Sequence, residues 1–219
     1  MRQISLLVLA LMCHVLVLKA NNRYEQSMKN AIPKIFVTNN TTELSMLYHE
    51  FKDLSNDKTN DWRPVYYAIL TKAFLHFLEE DSVIKFNHLK QALQELDALD
   101  SFSDSFSDND VCEVVALKGF IKMLEMQYIS EDVAYEKAKQ VYRLLGFALQ
   151  KNPKNPRANL FMGQMEYGSA KYLKWDTKGC CTLIAHSVSL FNDFKPKKAL
   201  DPSWGKQMAL LSLNTKCNH

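Results

Sequence analysis

The stretch 148–163, ALQKNPKNPRANLFMG, decides how the rest of the chain is read. Pro153 and Pro156 bracket a three-residue step between two helical patterns. A proline disfavours helical geometry in the residue before it, so Asn152-Pro153 ends the upstream helix. Pro156 suits the first turn of the next helix, where its missing N–H leaves nothing unsatisfied. Ala148 lies five residues before Pro153, and Gly163 lies ten residues after it. The two prolines thus predict a tight junction between two helices.

The same helical spacing runs outward in both directions. Upstream, Val133, Ala134, Ala138, Val141, Leu144, Leu145 and Ala148 recur at three- and four-residue steps. Val111, Val114, Val115, Leu117, Phe120 and Leu124 do so before them, and Phe86, Leu89, Leu93 and Leu96 earlier still. Cap candidates precede these faces. Asn40-Thr41-Thr42-Glu43 offers a side-chain acceptor with a carboxylate three residues on, and Asp81 or Ser82, Asn109 and Ser130 are alike. Lys195-Pro196 and Asp201-Pro202 are further stops. No stretch alternates with a two-residue period around an Asn-Gly turn. The spacing predicts nine helices, over 23–37, 41–55, 62–80, 82–100, 109–128, 131–150, 156–173, 178–193 and 203–214. Consecutive helices pair as hairpins, and the ninth is left as a cap. The longest connection, SFSDSFSD over 101–108, reads as an exposed loop into which Phe102 and Phe106 can tuck.

On these residues the chain resembles tetratricopeptide proteins. Ala148, Pro153, Pro156 and Gly163 match a junction of that family, and Leu117-Lys118-Gly119 looks like the Gly163 position one repeat earlier. The separation of Gly119 and Gly163 is 44 residues, against a usual period of about 34, so the repeats are long and irregular. Asn155-Pro156-Arg157, Pro202-Ser203-Trp204-Gly205 and Cys217 also resemble small exported tetratricopeptide-like proteins of Bacteroidetes bacteria. Those proteins carry a Gly-rich run where this chain has only Tyr167-Gly168-Ser169-Ala170. The resemblance implies an all-α, tetratricopeptide-like stack of about four hairpins plus a C-terminal capping helix. It implies a groove that binds a protein or peptide, lined by the first helix of each hairpin. Tyr66, Lys118, Asn159 and Gln164 are the expected groove residues.

Composition bounds the function class. The chain has 219 residues, 47% hydrophobic and 23% charged, enough for one sizeable core. This excludes a disordered, collagen-like or polytopic membrane protein. Residues 1–20 read as a secretory signal peptide, with Met1-Arg2, an apolar run from Ile4 to Leu18 and small Ala20 before polar Asn21. Cys13 is no lipidation site, because bulky Met12 precedes it and more apolar residues follow. A single helical domain is expected over 21–219, exported to the periplasm or secreted, with no stable membrane insertion. Without Arg2 and Lys19 the basic count falls from 27 to 25 against 24 acidic residues, a formal charge of +1. Such a surface carries no footprint for nucleic acid.

Four cysteines remain after the leader, Cys112, Cys180, Cys181 and Cys217, and four allow three pairings. Export favours pairing. Cys217 with Cys180 or Cys181 ties the last helix to the hairpin before it, and Cys112 reads as buried and free. The rival reading is a secreted metal-binding protein or enzyme using Cys180, Cys181, His186, Cys217 and His219. Its spacing is poor, since no Cys-x-x-Cys occurs and His186 lies five residues from Cys181. His49, His76 and His88 are solitary on their helices, and Glu79-Glu80-Asp81, Asp97 and Asp100 read as caps or solvated ends. Lacking nucleophile elbows, phosphate loops and metalloprotease motifs, the chain reads as a non-catalytic interaction module without a cofactor. Trp62, Tyr66, Tyr67, Tyr167, Tyr172, Trp175 and Trp204 read as core before groove, with Trp204 packing the last helix onto the stack.

Overall fold

The computed structural model describes residues 22–57 and 60–217, and within them the chain is helical with no strand. The leader expected over 1–20 and His219 lie outside the described residues. The helices are α1 over 22–31, α2 Thr41–Asp57, α3 Arg63–Leu78, α4 Ser82–Glu95, α5 Asp108–Glu125, α6 Glu131–Lys151, α7 Pro156–Tyr172, α8 Lys178–Asp193 and α9 Lys206–Lys216. Short 3-10 turns, Ile32–Phe36 and Leu96–Ser105, continue α1 and α4. The fold is an all-α helical stack.

Packing follows the pattern of side chains. Helix α3 (RPVYYAILTKAFLHFL) is apolar on every side, so it must be enclosed. It is clasped between α2 and α4, and buried without a break from Arg63 to Ala73. Helices α5 and α7 are likewise inner helices, and α6 and α8 pair with them as outer, amphipathic partners. The inner helices α3, α5 and α7 touch in succession, and one continuous buried cluster runs through the stack.

The two glycines singled out in the sequence hold equivalent places. A Cβ on Gly119 would meet Leu145 Cδ2 at 2.6 Å, across the α5–α6 hairpin. A Cβ on Gly163 would meet Ile184 Cγ1 at 2.9 Å and the Ile184 backbone N at 3.2 Å, across α7–α8. By contrast Gly146, on the exposed side of α6, faces nothing within 4 Å. Gly163→Ala therefore forces two helices apart, and the roughly 1 kcal/mol of helix propensity that alanine adds does not cover an overpacking cost of about 1–3 kcal/mol. Gly146→Ala keeps the propensity gain alone and stabilises by about 0.5–1 kcal/mol. Urea unfolding of the two variants should move in opposite directions.

The local signals resolve one by one, some as expected and some not. Asn40 caps α2 by accepting from the Thr42 and Glu43 amides, but Glu43 accepts from the Thr38 hydroxyl and not from the Asn40 amide. Asp81 caps α4. The α5 cap is Ser107 in a reciprocal box with Asp110, not Asn109, and Ser130 makes no side-chain cap. The SFSDSFSD stretch is not an open loop. Its first part winds into the 3-10 turn, and Phe102 and Phe106 pack on the core, Phe106 edge-on to Trp62 at 5.9 Å. The last helix starts at Lys206, not 203, because Gly205 at φ 109 turns the chain before it.

Candidate functional site

The α8–α9 connection, residues 194–205, is laid over the first turns of the inner helices. Arg157 at the start of α7 is fully buried and forms a two-pronged pair with Glu113 of α5, Nε to Oε2 at 2.6 Å and Nη2 to Oε1 at 2.5 Å. The same guanidinium donates to the carbonyls of Trp204 at 2.7 Å and Pro202 at 3.0 Å. Arg63 at the start of α3 binds Asp61 and Asp201, and the Tyr67 hydroxyl donates to the Leu200 carbonyl. The connection thus supplies carbonyls to two buried tyrosine and arginine donors, which the core needs satisfied. A cleft of about 390 Å³ remains beside it, lined by Asn109, Asn152, Lys154, Lys195 and Lys197 among others. Of its three acids, Glu113 and Asp201 are already spent on Arg157 and Arg63, which leaves Asp193 among the lysines.

Beyond that end, the face shared by α3, α5 and α7 carries a tier of rings. Phe120 and Phe161 stack at 4.5 Å, Trp204 lies 6.0 Å from each, and all three are closed off from solvent. Phe77 tilts against Phe120 at 6.2 Å, and Phe74 stands edge-on to both Phe77 and Phe36. Phe36 stacks on Trp204 at 6.3 Å. Phe36 and Phe77 are 36% and 44% exposed, and Phe74 is half-buried. The result is a closed aromatic floor under three partly open rings. Neither Phe36 nor Phe74 or Phe77 was singled out from sequence, because each sits in an ordinary apolar helical pattern.

The four expected groove residues are not assembled into one surface. Tyr66 is fully buried and its hydroxyl accepts from Trp204 Nε1 at 3.0 Å, so it belongs to the core. Asn159 is 5% exposed and donates to the Pro153 and Asn155 carbonyls, holding the α6–α7 junction. Lys118 pairs with Asp100 at 2.5 Å, and Gln164 donates to Ser212, tying α7 to α9. Each long polar side chain is already engaged within the fold.

The cysteine alternatives resolve to one pair. Cys181 is bonded to Cys217, while Cys112 and Cys180 are free and buried. Burial, with Glu113 nearby, pushes the Cys112 thiol up to about 12, which leaves it inert. The rival metal cluster loses two thiolates to the disulfide, and His186 is exposed on α8. Among the described residues no three His, Cys, Asp or Glu side chains gather in a metal-binding arrangement. His76 is buried with Nδ1 on the Lys85 carbonyl, and burial holds its pKa below the ordinary value. The carboxylates before α4 serve the backbone, Asp81 as cap and Glu79 accepting from the Glu80 and Asp81 amides. Trp62, Tyr66, Tyr67 and Trp204 are core as expected, but Tyr172 and Trp175 are 67% and 68% exposed.

No family model and no curated protein matches the chain. Among solved structures it is similar to the HusA haemophore from Porphyromonas gingivalis, at 19% sequence identity and a TM-score of 0.73. The match covers 89% of this chain and 93% of that one, and what is shared is the fold.

Proposed function

We propose that the chain is an exported, non-catalytic binding protein whose aromatic face takes a flat apolar ligand of the haem class. The tier of rings carries this reading: Phe36, Phe74 and Phe77 stand partly open over the closed floor of Phe120, Phe161 and Trp204. A porphyrin is rigid and planar, so it gains ring contacts while losing little conformational freedom. Lys34 is exposed in the same 3-10 turn as Phe36 and offers a cation to a carboxylate at the ligand's edge. The scaffold it shares with a haemophore supports the ligand class by analogy.

Export is supported by the leader-like residues 1–20 and by a disulfide, which persists in an oxidising compartment. The tetratricopeptide-like reading is supported by Gly119 and Gly163, each placed under its partner helix in successive hairpins. A protein or peptide partner on the same face is the second reading. It is favoured by Val37, which is 80% exposed beside Phe36 and suits an aliphatic contact.

Titration of the leaderless protein with haemin should give a saturable change in the Soret band. Phe77→Ala and Phe36→Ala should each weaken it about tenfold, the worth of one well-packed ring, with helicity unchanged because both rings are already partly exposed. No saturable change, or equal binding by both variants, sinks the haem reading. Partner capture that is lost in the same variants would then favour the protein reading.

A further inference from the structure

The exposed apolar side chains of this protein are not scattered. Among the described residues, all the large exposed ones except Phe147 and Leu211 lie near one edge of the stack. That edge is where α3, α5 and α7 end and α2, α4, α6 and α8 begin. Its three hairpin turns differ in charge. The α3–α4 turn holds Glu79, Glu80 and Asp81, and the α5–α6 turn leads into Glu131 and Asp132. Of these three, the α7–α8 turn alone combines exposed rings with an excess of cations, and it carries three exposed lysines where the turn before α2 sets the single cation Lys34 beside Phe36. Residues 171–176 (KYLKWD) are exposed without a break, with Tyr172 at 67%, Leu173 at 46% and Trp175 at 68%. Lys171, Lys174 and Lys178 are exposed around them, against a single acid, Asp176, whose Oδ1 accepts from the Lys178 amide.

We infer that this turn docks the protein onto an anionic lipid surface. The rings are held outward by the backbone. Trp175 N–H bonds the Ala170 carbonyl at 2.8 Å and Lys174 N–H bonds the Lys171 carbonyl at 3.3 Å, a Schellman closure with Lys174 at φ 56. In such closures an apolar residue after the turn usually folds back onto its helix. Here Trp175 does not. The Cys181–Cys217 bond fastens the end of α9 to the first turn of α8, so the corner is stapled close to the exposed rings.

Tryptophan, tyrosine and lysine together match the headgroup layer of a membrane. The rings are amphipathic, and lysine stems run along apolar surface while their charged ends reach phosphate. Anionic headgroups complement the turn's excess of lysines and would be repelled by the acidic α3–α4 turn, which sets the side that docks. No helix among the described residues is long and apolar enough to cross a membrane, so this attachment is peripheral. It is independent of what the aromatic face binds.

The test uses the leaderless protein with phosphatidylcholine vesicles made with and without phosphatidylglycerol. Trp62 and Trp204 are only 4% and 5% exposed, so a change in tryptophan emission reports Trp175. Co-sedimentation and a blue shift are expected with phosphatidylglycerol vesicles, weakened by salt. Tyr172→Ser with Trp175→Ser should reduce partitioning at least about tenfold, with thermal unfolding and haemin titration unchanged. Lys171→Glu with Lys174→Glu should remove the preference for anionic lipid. The inference is overturned by absence of binding to either vesicle, or by equal binding of the double serine variant. It is also overturned if vesicles stay unbound while that variant abolishes self-association or cross-linking of a partner protein at position 175.

Discussion

Arg157→Met should lower the unfolding free energy by about 3–5 kcal/mol, the cost of leaving a buried charge without its partner. The reason is the company Arg157 keeps. Its guanidinium and the Glu113 carboxylate are each about 1% exposed, and Asn155 Nδ2 completes the carboxylate's bonding at 2.6 Å. Methionine fills the volume of the arginine stem, yet Glu113 is left with one amide where it had a two-pronged cation. The carbonyls of Pro202 and Trp204 lose their donor in the same step. Glu113→Gln is the milder lesion, because a neutral amide can still accept from the guanidinium. Replacing both members with apolar residues should recover much of the loss, since a buried pair costs desolvation that hydrophobic packing does not. A double-mutant cycle in urea measures the coupling. A single-variant loss below about 1 kcal/mol would mean water reaches the pair, and would remove the pair as the fastening of the 194–205 connection.

Trp204→Ala should cost about 3–5 kcal/mol, the range for emptying a large aromatic site in a close-packed core. Trp204 lies against Phe36, Phe120 and Phe161, and its indole N–H donates to Tyr66. Burial raises the Tyr66 hydroxyl well above its ordinary pKa, so that hydroxyl stays neutral and depends on its bonding partners. Trp204→Phe separates the two contributions. It keeps most of the packing and loses one hydrogen bond, about 1 kcal/mol. Urea unfolding gives both values. The alanine variant also removes the floor beneath Phe36, so haemin binding should weaken with stability. The phenylalanine variant should keep binding near the parent level.

Helix positions were legible wherever the signal is short-range. Pro153 and Pro156 act on their immediate neighbours, and the junction they announce lies where they put it. Asp81 and Asn40 find acceptor work within three residues. Gly119 and Gly163 are paired by the resemblance in their surroundings, and each lies close under its partner helix. The cap of α5 lies two residues before the expected Asn109 because Ser107 and Asn109 are both good caps, and only the reciprocal bond with Asp110 selects Ser107.

The surroundings of the four expected groove residues were not legible in the sequence for a different reason. Tyr66, Lys118, Asn159 and Gln164 have the right chemistry for a binding surface. Each is claimed by a partner far along the chain or by the nearby backbone: Tyr66 by Trp204, 138 residues away, and Gln164 by Ser212, 48 away. Rings divide the same way. Trp204 and Trp175 look alike in sequence, each in a short helix-breaking stretch, yet one closes a core and the other stands in solvent.

Helix content and the hairpin junctions follow from residues acting over one or two turns, where backbone geometry and hydrophobic period leave little choice. Which cysteine bonds Cys217, how Arg63 and Arg157 find their carboxylates, and which aromatics face outward depend on how the helices stack. Cys180 and Cys181 are adjacent in the chain but point to different sides of α8, and only the position of α9 selects Cys181. Helical period places a side chain on a face. The neighbouring helix decides whether that face is buried, bonded or left open.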